Sequence, residues 1–116
     1  MQSPLSEAEL AELESTLLPA LERHHLRLLA HGLRTLQSIT GRKEGEPPER
    51  AVIEAWALEQ PATAGDAAFA QAFAGQLLSA GEQLTAIAQA KGCGALAVEL
   101  NDLVHWAQAE ANARLG

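Results

Sequence analysis

The sequence predicts an all-α fold: an antiparallel helical bundle of four main helices plus one short helix, in a single domain spanning residues 1–116. Apolar residues recur at three- and four-residue spacing along the chain, and no useful stretch alternates with the two-residue period of a strand. Aromatic residues make up only 3% and Tyr is absent. The core must therefore be built from Leu, Ala, Ile and Val, which suits closely spaced helices better than a β-sandwich. The breaks between periodic segments are short, as antiparallel neighbours require.

Each element has its own signature. Ser6-Glu7-Ala8-Glu9 reads as a capping box, with Ser6 as N-cap and Glu9 reaching back. Leu10, Leu13 and Leu17 follow at helical spacing. Pro19 disfavours helical geometry at Leu18, so a short first helix ends near Leu17. The alternative is one longer helix kinked at Pro19. The second helix runs from about Pro19, a residue at home in a first turn, to Ile39, with Gly41 as C-cap. At roughly 100° per residue, Leu21, Leu28, Leu29, Leu33, Leu36 and Ile39 share one broad face, and His25 lies on that apolar side. Arg23, Arg27, His31, Arg34 and Ser38 fall opposite. Residues 41–47 form a solvated loop. The third helix opens near Pro48, carries Val52, Ile53, Trp56 and Leu58, and stops at Pro61. Asp66 is a good N-cap for the fourth, whose seam is Ala70, Phe73, Leu77, Ala80, Leu84 and Ile87. Gly75 and Gly81 within it either permit close approach of another helix or are merely tolerated. Gly92-Cys93-Gly94 breaks the chain, and the fifth helix runs from about Ala95 to Arg114, with Leu96, Leu100, Leu103, Val104, Ala107 and Ala111 inward.

Charge is segregated. The net charge is −7, yet residues 23–50 carry +3 while residues 1–22 and 51–116 carry −5 each. An acidic chain repels the phosphate backbone, which argues against nucleic-acid binding. Charges interrupt every apolar run, so no membrane span is expected. The N-terminus has neither the basic region nor the apolar run of a signal peptide. A single Cys, Cys93, has no internal disulfide partner and is compatible with a reducing, cytoplasmic setting.

The candidate binding residues follow from the charge pattern. Arg23, Arg27 and Arg34, with His31, form one row, and arginines in such a row grip carboxylates bidentately. The competing reading is a solvated face neutralised by Glu7, Glu12 or Glu14. Trp106, at the border of the apolar face of the fifth helix, is an interface candidate. Trp56 is expected in the core.

Catalytic and metal patterns are weak by comparison. His24 and His31 are seven residues apart, and no helical His pair at four-residue spacing exists, so no metal site is expected. Glu22-x-x-His25 and Asp102-x-x-His105 share a spacing with ferritin-like di-iron bundles, but His105 projects outward. Glu99 and Asp102 share a helix face and could hold Mg²⁺. Such a Glu-x-x-Asp occurs in all-α nucleotide pyrophosphatases, which also need a Glu-x-x-Glu on the preceding helix; only Glu82 is available here. Cys93 lacks a nearby activating base and is expected to face solvent.

These residues point to a small soluble interaction module, such as an adaptor, regulator or assembly factor. It is expected to bind an acidic protein surface, or a second copy of itself as a homodimer, through helix faces. No cofactor is implied. The alternative is a metal- or nucleotide-dependent all-α enzyme built on the carboxylates of helices 4 and 5.

Overall fold

A computed structural model describes residues 5–61 and 65–115 of the chain. Among the described residues five α-helices occur in order: α1 (Glu7–Glu14), α2 (Ala20–Thr40), α3 (Arg50–Glu59), α4 (Ala67–Lys91) and α5 (Leu100–Leu115), with a 3-10 turn at Ala95–Ala97 before α5. No strand occurs among the described residues.

The local signals place most helix ends. Ser6 accepts a hydrogen bond from the Glu9 N–H at 3.1 Å, and the Glu9 carboxylate accepts from the Ser6 N–H at 3.1 Å. The capping box thus forms as the sequence predicts. Asp66 accepts from the Phe69 N–H at 2.9 Å and starts α4. Gly41 closes α2 in the left-handed region, φ +68°, which a side chain would resist. Pro19 stands at the N-cap of α2, so it separates two helices and does not kink one.

Three boundaries differ from the sequence expectation. First, α1 stops at Glu14, because the Ser15 and Thr16 hydroxyls donate to the Glu12 and Leu13 carbonyls and end the helix in a turn. Leu17 is left wholly exposed and takes no part in a seam; Leu13 and Leu18 are buried instead. Second, α3 starts at Arg50, with Glu49 extended at its N-cap. Third, α5 starts at Leu100 and not at Ala95. Val98 is extended there, and the Asp102 carboxylate accepts from the Glu99 N–H at 2.8 Å, which caps a new helix.

Cross-helix contacts define the topology. Glu9 meets Arg34 and Glu14 meets Arg27, so α1 runs against α2. Glu22 meets Arg114 and Gln37 meets Leu96, so α5 also runs against α2. Pro47 lies on Gly81 and Trp56 stacks on Phe73, so the segment containing α3 runs against α4. The result is the antiparallel bundle expected from the short connections, with α2 at its centre packed on α4, α5 and α1. Leu26, Leu33, Leu36, Ile53, Leu84 and Leu103 are completely buried in one core cluster.

Helical projection mis-sets two faces. On α4 the buried edge is Ala70, Ala74, Leu77, Gly81, Leu84 and Ala88, while Phe73, Ala80 and Ile87 flank it. The edge is rotated because small residues let neighbours approach. A Cβ on Gly81 would sit 3.5 Å from Pro47, and one on Gly32 of α2 would sit 3.1 Å from the Ala80 Cβ. On α2, Leu21 and Leu28 are 48% and 57% exposed, while Glu22, Thr35 and Gln37 are buried. His25 is exposed and not a core or boundary residue. Cys93 is half-buried and packs against the core, so it does not face freely into solvent. Val52 and Leu58 of α3 are exposed, and Trp56 is half-buried.

Candidate functional site

The arginine row is largely engaged by the chain itself. Arg34 Nε donates to Glu9 Oε2 at 3.1 Å, and its NH1 donates to Gln37 Oε1 at 2.8 Å. Gln37 in turn donates from Nε2 to the Leu96 carbonyl at 2.8 Å. One guanidinium therefore links α1, α2 and the 3-10 turn. The Glu9 carboxylate uses one oxygen for the capping box and the other for Arg34. Arg34 holds the Glu9 carboxyl below its ordinary value, against the opposing effect of partial burial. Arg27 pairs with Glu14 at 2.9 Å, both side chains about half exposed. Such a pair is weak and exchangeable. Arg23 has no carboxylate within ion-pair distance among the described residues. Of the acids named from sequence as neutralising groups, Glu14 serves this role; Glu9 is the one sequence reasoning missed.

Arg34 is therefore a structural residue as well as a candidate contact. Arg34→Ala should leave the Gln37 side-chain amide oxygen Oε1 without its Arg34 donor and loosen α1, at a cost of about 1–2 kcal/mol. Hydrogen exchange would show protection falling in residues 7–14 first. Uniform loss across all helices would contradict the linkage.

The second end of α2 carries a pair with no local sequence signal. Glu22 is 4% exposed and is held by Arg114, whose NH2 donates to Glu22 Oε2 at 2.9 Å. The hydrogen bonds from Arg114 hold the Glu22 carboxyl below the ordinary value of 4.5. Partial burial pushes the Asp102 carboxyl up, but the Lys91 ammonium at 2.7 Å and the Glu99 N–H bring it below its usual range. A carboxyl lowered on folding stabilises fully above its unfolded value and loses that contribution as pH falls through the folded one. Melting temperature should thus decline on acidification from about pH 5 towards pH 2. Glu22→Gln should make the decline shallower; an identical slope would remove Glu22 from the account.

His31 and Trp106, two of the residues named from sequence, come together at a groove. The groove has a volume of about 700 Å³ and opens between α4 and α5 across the face of α2. Leu29 and Leu77 lie on its floor, and exposed Leu28 stands at its α2 edge with half-buried Phe73 and Trp106 across from it. His25, His31 and Glu110 give the polar rim. Burial lowers the His31 value below the ordinary 6.5, which favours the neutral ring at pH 7. The row expected from sequence is thus divided. Arg27 and Arg34 pair with α1, while His31, on the adjoining part of the same face, lines the groove with Leu28 and Gly32. Sequence reasoning missed Leu28 as a binding residue because its helical position matches that of core leucines.

The carboxylates of the enzymatic alternative are arranged differently from what it needs. Asp102 caps α5 and binds Lys91, with Glu99 3.9 Å from the same ammonium. Glu82 and His105 are exposed. Among the described residues, no group of three or more His, Cys, Asp or Glu is placed to hold a metal ion. No helix among them is long and apolar enough to cross a membrane.

The family model described as NDH complex assembly factor CRR9 matches residues 5–114, all five helices included. No curated protein and no solved structure matches the chain.

Proposed function

Because the chain belongs to the CRR9 family of NDH complex assembly factors, we propose that it is a non-catalytic assembly factor that holds a polypeptide of an NDH complex in the α2–α4–α5 groove. The observation that carries this reading is the groove itself: an apolar floor continuous with exposed Leu28 and rimmed by His31 and Trp106. A leucine more than half exposed across a groove from a half-buried tryptophan is the composition of an interface centre, where a few large apolar anchors supply most of the affinity. Trp106 and His31 belong to this surface in the proposal, and half-buried Arg23 and exchangeable Arg27 form a secondary contact for acidic groups of the partner. A cytoplasmic setting, with the single Cys unpaired, is part of the same reading.

The test is co-purification of NDH complex subunits with the full chain. Leu28→Glu places a charge on the groove edge at an exposed site, so the fold should persist. Loss of one hot-spot contact is expected to reduce retained subunits about thirtyfold. Circular dichroism and melting temperature should match the wild type. Undiminished retention by a folded Leu28→Glu variant would reject the groove. Self-association is the competing use of the same surface, and sedimentation of wild type and variant measures it directly.

A further inference from the structure

The groove has a shape and a charge that select its occupant. Helices α4 and α5 both pack on α2 but meet each other only weakly, chiefly beside the 3-10 turn. Away from that junction His25, Leu28 and His31 of α2 stay exposed along the groove between them. The exposed apolar strip extends back along α2 to Leu21, which lies on the same face as His25 and Leu28. From Leu21 to Leu28 this strip is about 10 Å long, the rise of two turns of helix.

The charges around this channel are one-sided. On α4 and α5 the bases Lys91 and Arg114 are tied to Asp102 and Glu22. Glu110 lines the groove, and among the described residues no Lys or Arg lies within ion-pair distance of it. Gln76, Ser79 and Gln83 complete the α4 rim and are neutral. His25 and His31, the other titratable groups facing the groove, stand on the α2 side. An apolar channel with a carboxylate on one bank and no fixed cation complements a helix that is apolar on one face and carries Lys or Arg beside it.

We propose that the groove takes a single amphipathic helix of a partner polypeptide, with apolar residues at three- and four-residue spacing against Leu28, Leu77 and Trp106, and a basic residue against Glu110. This rests on the assembly-factor reading and adds the chemistry of the bound segment.

The probes are two synthetic peptides of about 15 residues, long enough to hold a helix once docked. One carries a leucine stripe flanked by Lys; its twin carries Glu in place of Lys. Binding to the full chain is read by fluorescence anisotropy, and helix formation by circular dichroism. The Lys peptide should bind and become helical, with the Glu twin at least about fivefold weaker, as one favourable ion pair against one repulsive one requires. Leu28→Glu should remove binding, Glu110→Lys should reverse the preference between the twins, and Glu59→Lys, on α3, should change nothing. The reversal separates a specific contact from general attraction to an acidic protein. The proposal is overturned if Glu110→Lys leaves the preference as it was, if the bound peptide is not helical, or if a second copy of the chain occupies the groove in sedimentation. Should subunit co-purification depend on Leu28 while the twins are indifferent to Glu110, the groove stands and the basic helix falls.

Discussion

Leu36→Ala is expected to lower the stability of the chain by about 3 kcal/mol, the usual cost of a large-to-small change in a packed core. Leu36 is completely buried where α2 faces Gly81 of α4, and Pro47 closes the third side. Three segments converge there, and none can move inward without disturbing the other two, so the space vacated by the side chain stays largely open. For a domain of this size the melting temperature should fall by about 10 °C. Chemical denaturation should show a lower midpoint with an unchanged slope, because the surface exposed on unfolding is the same. A loss under about 1 kcal/mol would mean that the region collapses freely and that the α2–α4 contact is looser than described.

Gly94→Ala is the second large effect, and its origin is backbone contact. A Cβ at position 94 would lie 2.9 Å from the Gly45 carbonyl oxygen and 3.1 Å from the Gly45 Cα. Neither neighbour is a side-chain tip that can swing aside. The same carbonyl accepts the Leu96 N–H at 3.0 Å, so moving the loop also breaks the bond that holds the 3-10 turn. A cost of about 2 kcal/mol follows from forced displacement plus the lost hydrogen bond. Gly75 is the matched comparison: it sits in α4 with nothing within 4 Å of its would-be Cβ. Gly75→Ala should therefore stabilise by about 0.5–1 kcal/mol through helix propensity alone. Equal effects at the two positions, read by denaturant midpoint, would refute the close approach.

Glycines 75, 81 and 94 look alike in sequence, and the difference among them shows where sequence reading ends. Information carried within a few residues was legible. Ser6 with Glu9, Asp66 with Phe69, and Gly41 after Thr40 set helix ends through bonds across one turn. The short loops then fixed an antiparallel order. What depends on partners far along the chain was not legible. Glu22 reads as a solvated acid until Arg114, 92 residues away, is brought beside it. Leu28 and Leu36 are both leucines on an apolar arc; only the divergence of α4 and α5 decides that one is exposed and the other enclosed. The extra turn before α5 was hidden for the same reason, because it depends on Gly45 reaching Leu96 from the opposite loop.

The binding residues divide along the same line. A row of Arg23, Arg27, His31 and Arg34 is a correct statement about one helix. It cannot say that α1 lies along one side of that row and supplies Glu9 and Glu14, while His31 lines the groove that Trp106 also lines. The family match to assembly factors agrees with the interaction module that the missing catalytic pattern suggested, and the groove is where the proposed contact is concentrated.

The central position of α2 also governs when the chain can finish folding. Its N-terminal half is held by Arg114 of α5, and its C-terminal half by Leu96, so the core around it closes only once α5 is in place. During synthesis α1 and α2 can form a hairpin, since Glu9–Arg34 and Glu14–Arg27 join near neighbours in sequence, but the leucines of α2 stay uncovered until α4 and α5 emerge. The packing of α2 on α4 and α5 joins helices that are not consecutive, so loop closure has to precede burial of these leucines. The ribosome-bound chain would present the same leucine edge that the finished protein keeps partly open at Leu28.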